Sequence, residues 1–254
     1  MIKLSPETCE WVLALADDKH LMGQQHAEWI GVTPFLEEDL AFCSIGQDEL
    51  GHAALLYELI VGDDDMAIDE IAYDRPPEEY RSCHLVELHT TNWETAFARH
   101  WLFDLADELR WDLIADTAPQ GLRDIAARVK REEIFHRLHA ENMLDVLLVD
   151  LDARRRVIDA VTELAPLVAG LFEPVAGEAT AIAEGVVTGS FSDQWPELVH
   201  RVEDRIGEIS WSGNEQDLAR LFVGQVGRRS RSQDWQPLMT RMREVIDLDL
   251  NAVW

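Results

Sequence analysis

Apolar residues recur at three- and four-residue intervals along most of the chain. Alternating β-branched runs and Asn-Gly or Asp-Gly hairpin turns are missing, so the pattern predicts an all-α protein. Ser5-Pro6-Glu7 supplies an N-cap and a proline at the first helical position of helix 1, which runs to about Ile30 and stops before Gly31-Val32-Thr33-Pro34. Helix 2 is expected over Leu36 to Val61, helix 3 over Trp93 to Ala115 and helix 4 over Leu122 to Leu151, with Pro119-Gln120-Gly121 as the break between the last two. An acidic, proline-containing connection of roughly thirty residues joins helices 2 and 3 and suits a bundle crossover better than a tight hairpin. Further helices are expected over Ala153 to Phe172, Asp193 to Ile209, Gln216 to Val223 and Gln236 to Ile246. The simplest division is one four-helix bundle, about residues 5–151, with a helical extension over about 152–254.

Two short motifs fall at matching places in this layout. Helix 2 carries Glu49-Leu50-Gly51-His52 and helix 4 carries Glu133-Ile134-Phe135-His136. Residues i and i+3 share a helix face, so each Glu-x-x-His can offer a carboxylate and an imidazole to one ion. One such motif is weak evidence, but two, each in the second helix of a hairpin, match the bundles that hold a di-iron or di-manganese centre. Those bundles add one carboxylate from each of the other two helices.

Hairpin geometry locates the missing pair, because antiparallel helices rise equally per residue and residues at one level are equidistant from the turn. On helix 3, Asp104 lies level with Glu133, while Asp107 and Glu108 are competitors or supporting groups. On helix 1 the level position is Lys19, which cannot act as a ligand while protonated. If Lys19 faces solvent, Asp18 or His20 must serve. If it faces inward, its ammonium can pair with the carboxylates and stand in for a metal, which favours a non-catalytic protein. Asp48, Glu132, Asp107 and Glu108 are placed to accept the second N–H of ligand histidines. Carboxylate and imidazole donors suit iron or manganese, and an open position lets Fe(II) bind and reduce O₂.

Composition narrows the functional classes. Of 254 residues, 49 are Asp or Glu against 22 Lys or Arg, a formal charge of −27. Counterion release needs clustered cations, so the balance weighs against nucleic acid or an anionic membrane as partner. Cys9, Cys43 and Cys83 have no CxxC spacing, and neither a disulfide framework nor a thiolate metal site is indicated. The N-terminus lacks a signal-peptide pattern and no apolar run approaches a membrane span, so a soluble, cytoplasmic location is expected.

At GQDELGHAALLYE, WLFDLADE and KREEIFHRLHAE the chain resembles the phenylacetate-catabolism family of ferritin-like proteins, the catalytic and structural subunits of phenylacetyl-CoA epoxidase. The likeness covers nearly the whole chain. LALADDKHLMGQQHAEWIGVTPFLEEDLAF, GRRSRSQDWQPLMTRM and the terminal Trp254 are similar to the structural subunit, whereas the intact Glu-x-x-His pair is similar to the catalytic one.

The resemblance implies Glu49, His52, Asp104, Glu133 and His136 as metal ligands. Matching the family's first-helix Glu through Gly23 adds His20, whereas matching through Trp29 lands on Lys19 beside Asp18. It further implies a di-iron oxygenase subunit that activates O₂ to epoxidise or hydroxylate an aromatic acyl-CoA, with electrons from a separate flavin and iron–sulfur reductase. A homologous ferritin-like subunit is the implied partner, in a homo- or hetero-oligomer. Two other functions stand beside it, a non-catalytic structural subunit of such an oxygenase and a ferritin-like peroxidase or metal-binding protein. Arg154-Arg155-Arg156 and Arg228-Arg229-Arg231 can meet CoA phosphates or a partner, or be solvated charge. Trp93, Trp101 and Trp111 can wall an aromatic pocket or simply belong to the core.

Overall fold

The computed structural model describes residues 4–209, 211, 228 and 230–248, and among these the fold is all-α with no strand. Helix α1 spans Pro6–Ala27, started by the Ser5 side chain, which accepts from the Thr8 amide. It ends three residues earlier than expected, because the chain turns through residues 28–33 with Gly31 at φ 85°, a conformation costly for any residue with a Cβ. Helix α2 spans Leu36–Val61, as expected, and stops at Gly62. The crossover is not plain loop. It carries α3 (Asp65–Tyr73) and α4 (His84–Glu87), segments too short to show a helical period.

Helix α5 spans Trp93–Trp111, capped by Asn92. It stops short of Ala115 because Ile114 bridges to Val187 and the Ala115 amide donates to the Val186 carbonyl. Helix α6 spans Gln120–Val149 and α7 spans Leu151–Val168. The break expected between Leu151 and Ala153 falls at Asp150, whose carboxylate accepts from the amides of Asp152 and Ala153 and so caps the second helix. Helices α8 (Glu178–Ala183), α9 (Trp195–Ile206) and α10 (Trp235–Arg243) follow. The helix expected over 216–223, Arg229 and the terminal Trp254 lie outside the described residues.

Helices α1, α2, α5 and α6 make a ferritin-like four-helix bundle, with α7 packed along α5. Helix α1 is its central element, buried on nearly every face from Trp11 to Gly23. Two apolar cores form. One gathers Trp11, Leu15, Leu56, Trp111 and Val129, and the other gathers Met22, Trp101, Leu102, Leu144 and Phe172. A layer of buried charge lies between them along the bundle axis, at the level of Lys19, Glu49, Asp104 and Glu133. Among the described residues no helix is long and apolar enough to cross a membrane.

Candidate metal centre

Successive residues of a helix point about 100° apart, and α1 uses this to send four neighbouring polar side chains to four different places. Asp17 meets Arg75, the Arg81 amide and the Tyr57 hydroxyl. Asp18 takes the guanidinium groups of Arg110 and Arg228 and the Cys83 amide. His20 packs edge-on against Tyr57 and Tyr73. Lys19 alone points among the carboxylates, with Nζ 2.8 Å from Glu49, 2.5 Å from Asp107 and 2.5 Å from Glu133.

The expected helix-1 ligand is therefore corrected. His20 lies outside the acidic group, beside Arg75, and burial together with that guanidinium pushes its pKa down to about 3. Asp18 is spent on two arginines. The residue that enters the centre is the lysine level with Glu49.

Glu49, Asp104, Glu133 and His136, all buried, each present one donor atom within 4.8 Å of the others. They come from α2, α5 and α6. His52 stands at the edge, its Nδ1 4.0 Å from Glu133. The two imidazoles are oriented crosswise: His52 Nε2 meets Glu132 at 2.6 Å and His136 Nε2 meets Asp48 at 3.1 Å, so both Nδ1 atoms face inward, that of His136 3.4 Å from Glu133 and neither in hydrogen-bond geometry. A carboxylate on the outer nitrogen and an inward-facing second nitrogen is the usual arrangement around a metal-binding histidine. Both Asp104 oxygens and Glu133 Oε2 likewise stand outside hydrogen-bond geometry. The donor set fits a first-row divalent ion.

The electrostatics agree. Asp18 and Asp107 are balanced by Arg110 and Arg228, which leaves Glu49, Asp104 and Glu133 facing the single ammonium of Lys19. Burial and repulsion from Glu133 and Asp107 outweigh Lys19 at Glu49 and push its carboxyl up to about 8. Burial and Glu133 raise Asp104 well above the carboxylate range. Burial acts on Glu133 too, but Lys19 and His136 hold it below that range. At His136, Asp48 and Glu133 outweigh burial and raise the imidazole to about 11, whereas burial and Lys19 lower His52 to about 4. Such a set binds protons whenever no other cation is present.

Other expectations fall out plainly. Asp107 binds Lys19 and Arg110, and Glu108 is a half-exposed partner of Arg137 and Arg201. Arg228 and Arg231 are used internally, on Asp18 and Glu87, so neither is free for phosphate. Arg154, Arg155 and Arg156 are exposed. Of the tryptophans, Trp111 lines a cavity with Asp104, Trp101 is core, and Trp93 packs on Trp29 and Phe42. Sequence reasoning missed a second polar group, in which His26 Nε2 lies 3.3 Å from His100 Nδ1, His100 lies 3.3 Å from Asp104, and His139 pairs with Glu38. Its histidines come from α1, α5 and α6 with no shared spacing that a sequence could reveal.

The family model described as "Phenylacetic acid catabolic protein" matches residues 3–254. The chain belongs to this family. It is 28% identical over 167 residues to an Escherichia coli (strain K12) protein that is one of the subunits of 1,2-phenylacetyl-CoA epoxidase. The match covers 64% of this chain and 66% of that protein, just under two thirds of its length.

Proposed function

We propose that this chain is a subunit of a multicomponent oxygenase acting on an aromatic acyl-CoA such as phenylacetyl-CoA, and that its centre holds one divalent ion, iron or manganese, beside a lysine ammonium. It supports a catalytic ferritin-like homologue and is not itself a complete two-metal oxygenase. The observation that carries this reading is Lys19. A two-metal bundle takes four carboxylates and two histidines; here the first-helix carboxylate is replaced by a cation bonded to Glu49 and Glu133. Three carboxylates against one ammonium leave two negative charges, the complement of one divalent ion. Glu49, Asp104, Glu133 and His136 would hold it, Asp107 would keep Lys19 beside it, and Asp48 would orient the His136 ring. An iron ion in that donor set supplies the capacity to bind and reduce O₂. The likeness to one part of a multi-subunit phenylacetyl-CoA epoxidase, in a family of phenylacetic acid catabolism, supports the substrate class and the need for partners.

One observation favours the alternative of a di-iron oxygenase in its own right: both Glu-x-x-His pairs are intact and both inner histidine nitrogens face the carboxylates. Metal content after loading with Fe(II) without oxygen separates the two. One ion per chain is expected for the wild type, rising to two in Lys19→Glu, which restores the missing carboxylate. Two ions per wild-type chain with an oxygen-dependent optical change would establish the di-iron reading, and no metal in either protein would remove both.

A further inference from the structure

The cluster is closed on most sides by the groups that build it. Toward α2, the rings of His52 and His136 fill the gap between α2 and α6, held outside by Glu132 and Asp48. Toward α1 stands Lys19. Between α5 and α6 the packing is incomplete, and a cavity of about 300 Å³ opens there, with Asp104 and Glu133 at its lining. Asp104 is only 1% exposed, yet it lines this cavity; neither of its oxygens is in hydrogen-bond geometry, and Oδ1 lies 3.3 Å from His100 Nδ1. Two larger cavities, near Leu4, Leu59 and Gly121, touch no member of the cluster.

The geometry points to the α5–α6 cleft as the route by which a divalent cation enters the buried cluster, with Glu108, Asp112, Lys130 and Arg137 at its rim and Ile134 as its wall. The inference rests on the one-metal reading above. Its floor is formed by the carboxyl groups of Asp104 and Glu133, the first donors of the cluster that an incoming cation meets. The rim carries its acidic and basic side chains in pairs. Lys130 is bonded to Asp112 at 2.8 Å, while Glu108 holds Arg201 at 3.0 Å and lies 3.7 Å from Arg137. These are exposed pairs, and pairs of that kind contribute little stability and break readily. A hydrated cation can thus take the rim carboxylates in turn, shed water, and pass to Asp104 and Glu133. The ion reaches its ligands by a seam other than the one the histidine rings fill, and Lys19 need not leave Asp107.

Loading kinetics with Co²⁺, followed by the visible bands of the bound ion after rapid mixing with the full-length metal-free protein, test the route. Ile134→Trp places a large side chain at an exposed site in the cleft and should slow loading about tenfold, with unchanged stoichiometry and unchanged Tm. Glu108→Gln weakens the rim's hold on Arg137 and Arg201 and should slow loading too, with a weaker dependence of the rate on ionic strength. Ala54→Trp, on the exposed outer face of α2, should load as the wild type does. Wild-type rates in both cleft variants overturn the inference, as does slowing in Ala54→Trp. So does faster release of bound Co²⁺ at an unchanged loading rate in Ile134→Trp, since that side chain would then hold the ion in place. Wild-type protein that binds no Co²⁺ overturns the one-metal reading and the route with it, an outcome distinct from binding at an unaltered rate.

Discussion

At Glu49 the folded state keeps a proton that the unfolded chain has already released, because burial and two neighbouring carboxylates raise its pKa to about 8. His136 is raised in the same sense, to about 11. A raised folded pKa means that the native state binds more protons than the unfolded one, so stability falls as pH rises through that window. His20 and His52, lowered to about 3 and about 4, are neutral in both states above their ordinary value and add no slope there. The metal-free protein is therefore expected to lose about 2 kcal/mol per pH unit between about pH 7 and pH 9 in urea unfolding. Saturating Mn²⁺ should flatten the curve by replacing those protons, and Glu49→Gln should make it shallower, chiefly below about pH 8, leaving the part that His136 carries. Stability that climbed over this range would contradict the assignment of protons to the cluster.

The position of Lys19 against Glu49 depends on how closely α1 approaches α2. Gly23, one turn beyond Lys19, faces Gly46, and a Cβ at Gly23 would lie 2.8 Å from Leu50 Cγ and 3.0 Å from the Gly46 carbonyl oxygen. Gly23→Val must push the helices apart, at a cost of about 1–3 kcal/mol of the kind seen on overpacking a core. Because the displaced helix carries Lys19, Co²⁺ affinity should change along with Tm. Gly51 is the matched control on the same helix as Gly46. A Cβ there meets only the tip of Arg128 at 3.8 Å, so Gly51→Ala should leave binding unchanged and raise stability by about 0.5–1 kcal/mol through helix propensity. Equal behaviour of the two variants would remove the close approach as the device that sets the centre.

Across the molecule, an unbroken series of ion pairs runs from the C-terminal region to the centre: Arg228 to Asp18, Asp18 to Arg110, Arg110 to Asp107, and Asp107 to Lys19. Arg228 also donates to the carbonyls of Arg81 and Leu171, so it ties the crossover and the segment after α7 to α1. Arg228→Met leaves Asp18 half paired in a dry interior, and breaking a buried pair from one side costs about 3–5 kcal/mol. Hydrogen exchange of the metal-free protein should show faster exchange at the Cys83 amide, which donates to Asp18 at 3.0 Å, with the α5 and α6 amides still protected. Unchanged exchange at Cys83 would mean that the arginine holds nothing in place. The formal charge of −27 is carried around this balanced interior. It makes the few internal cations decisive, since Lys19 serves three carboxylates and Arg110 two.

The all-α class, the ends of α2 within a residue and the level of Asp104 with Glu133 were legible from periodicity, capping and equal helical rise, because these are local rules that operate along one or two helices. The same arithmetic brought Lys19 to the level of Glu49 and left two outcomes, solvent or centre. Only the tertiary structure could choose. Which of Asp17, Asp18, Lys19 and His20 faces the carboxylates depends on rotation about the α1 axis, and that rotation is set by partners at Arg75, Arg110 and Arg228, which lie 58, 92 and 210 residues from their acids in sequence. The second histidine group and the α5–α6 cleft were hidden for the same reason. Sequence by itself determined which donor types the bundle carries and at what height; packing decided which of them look inward, because direction in a helix is a matter of what the neighbouring helices leave room for.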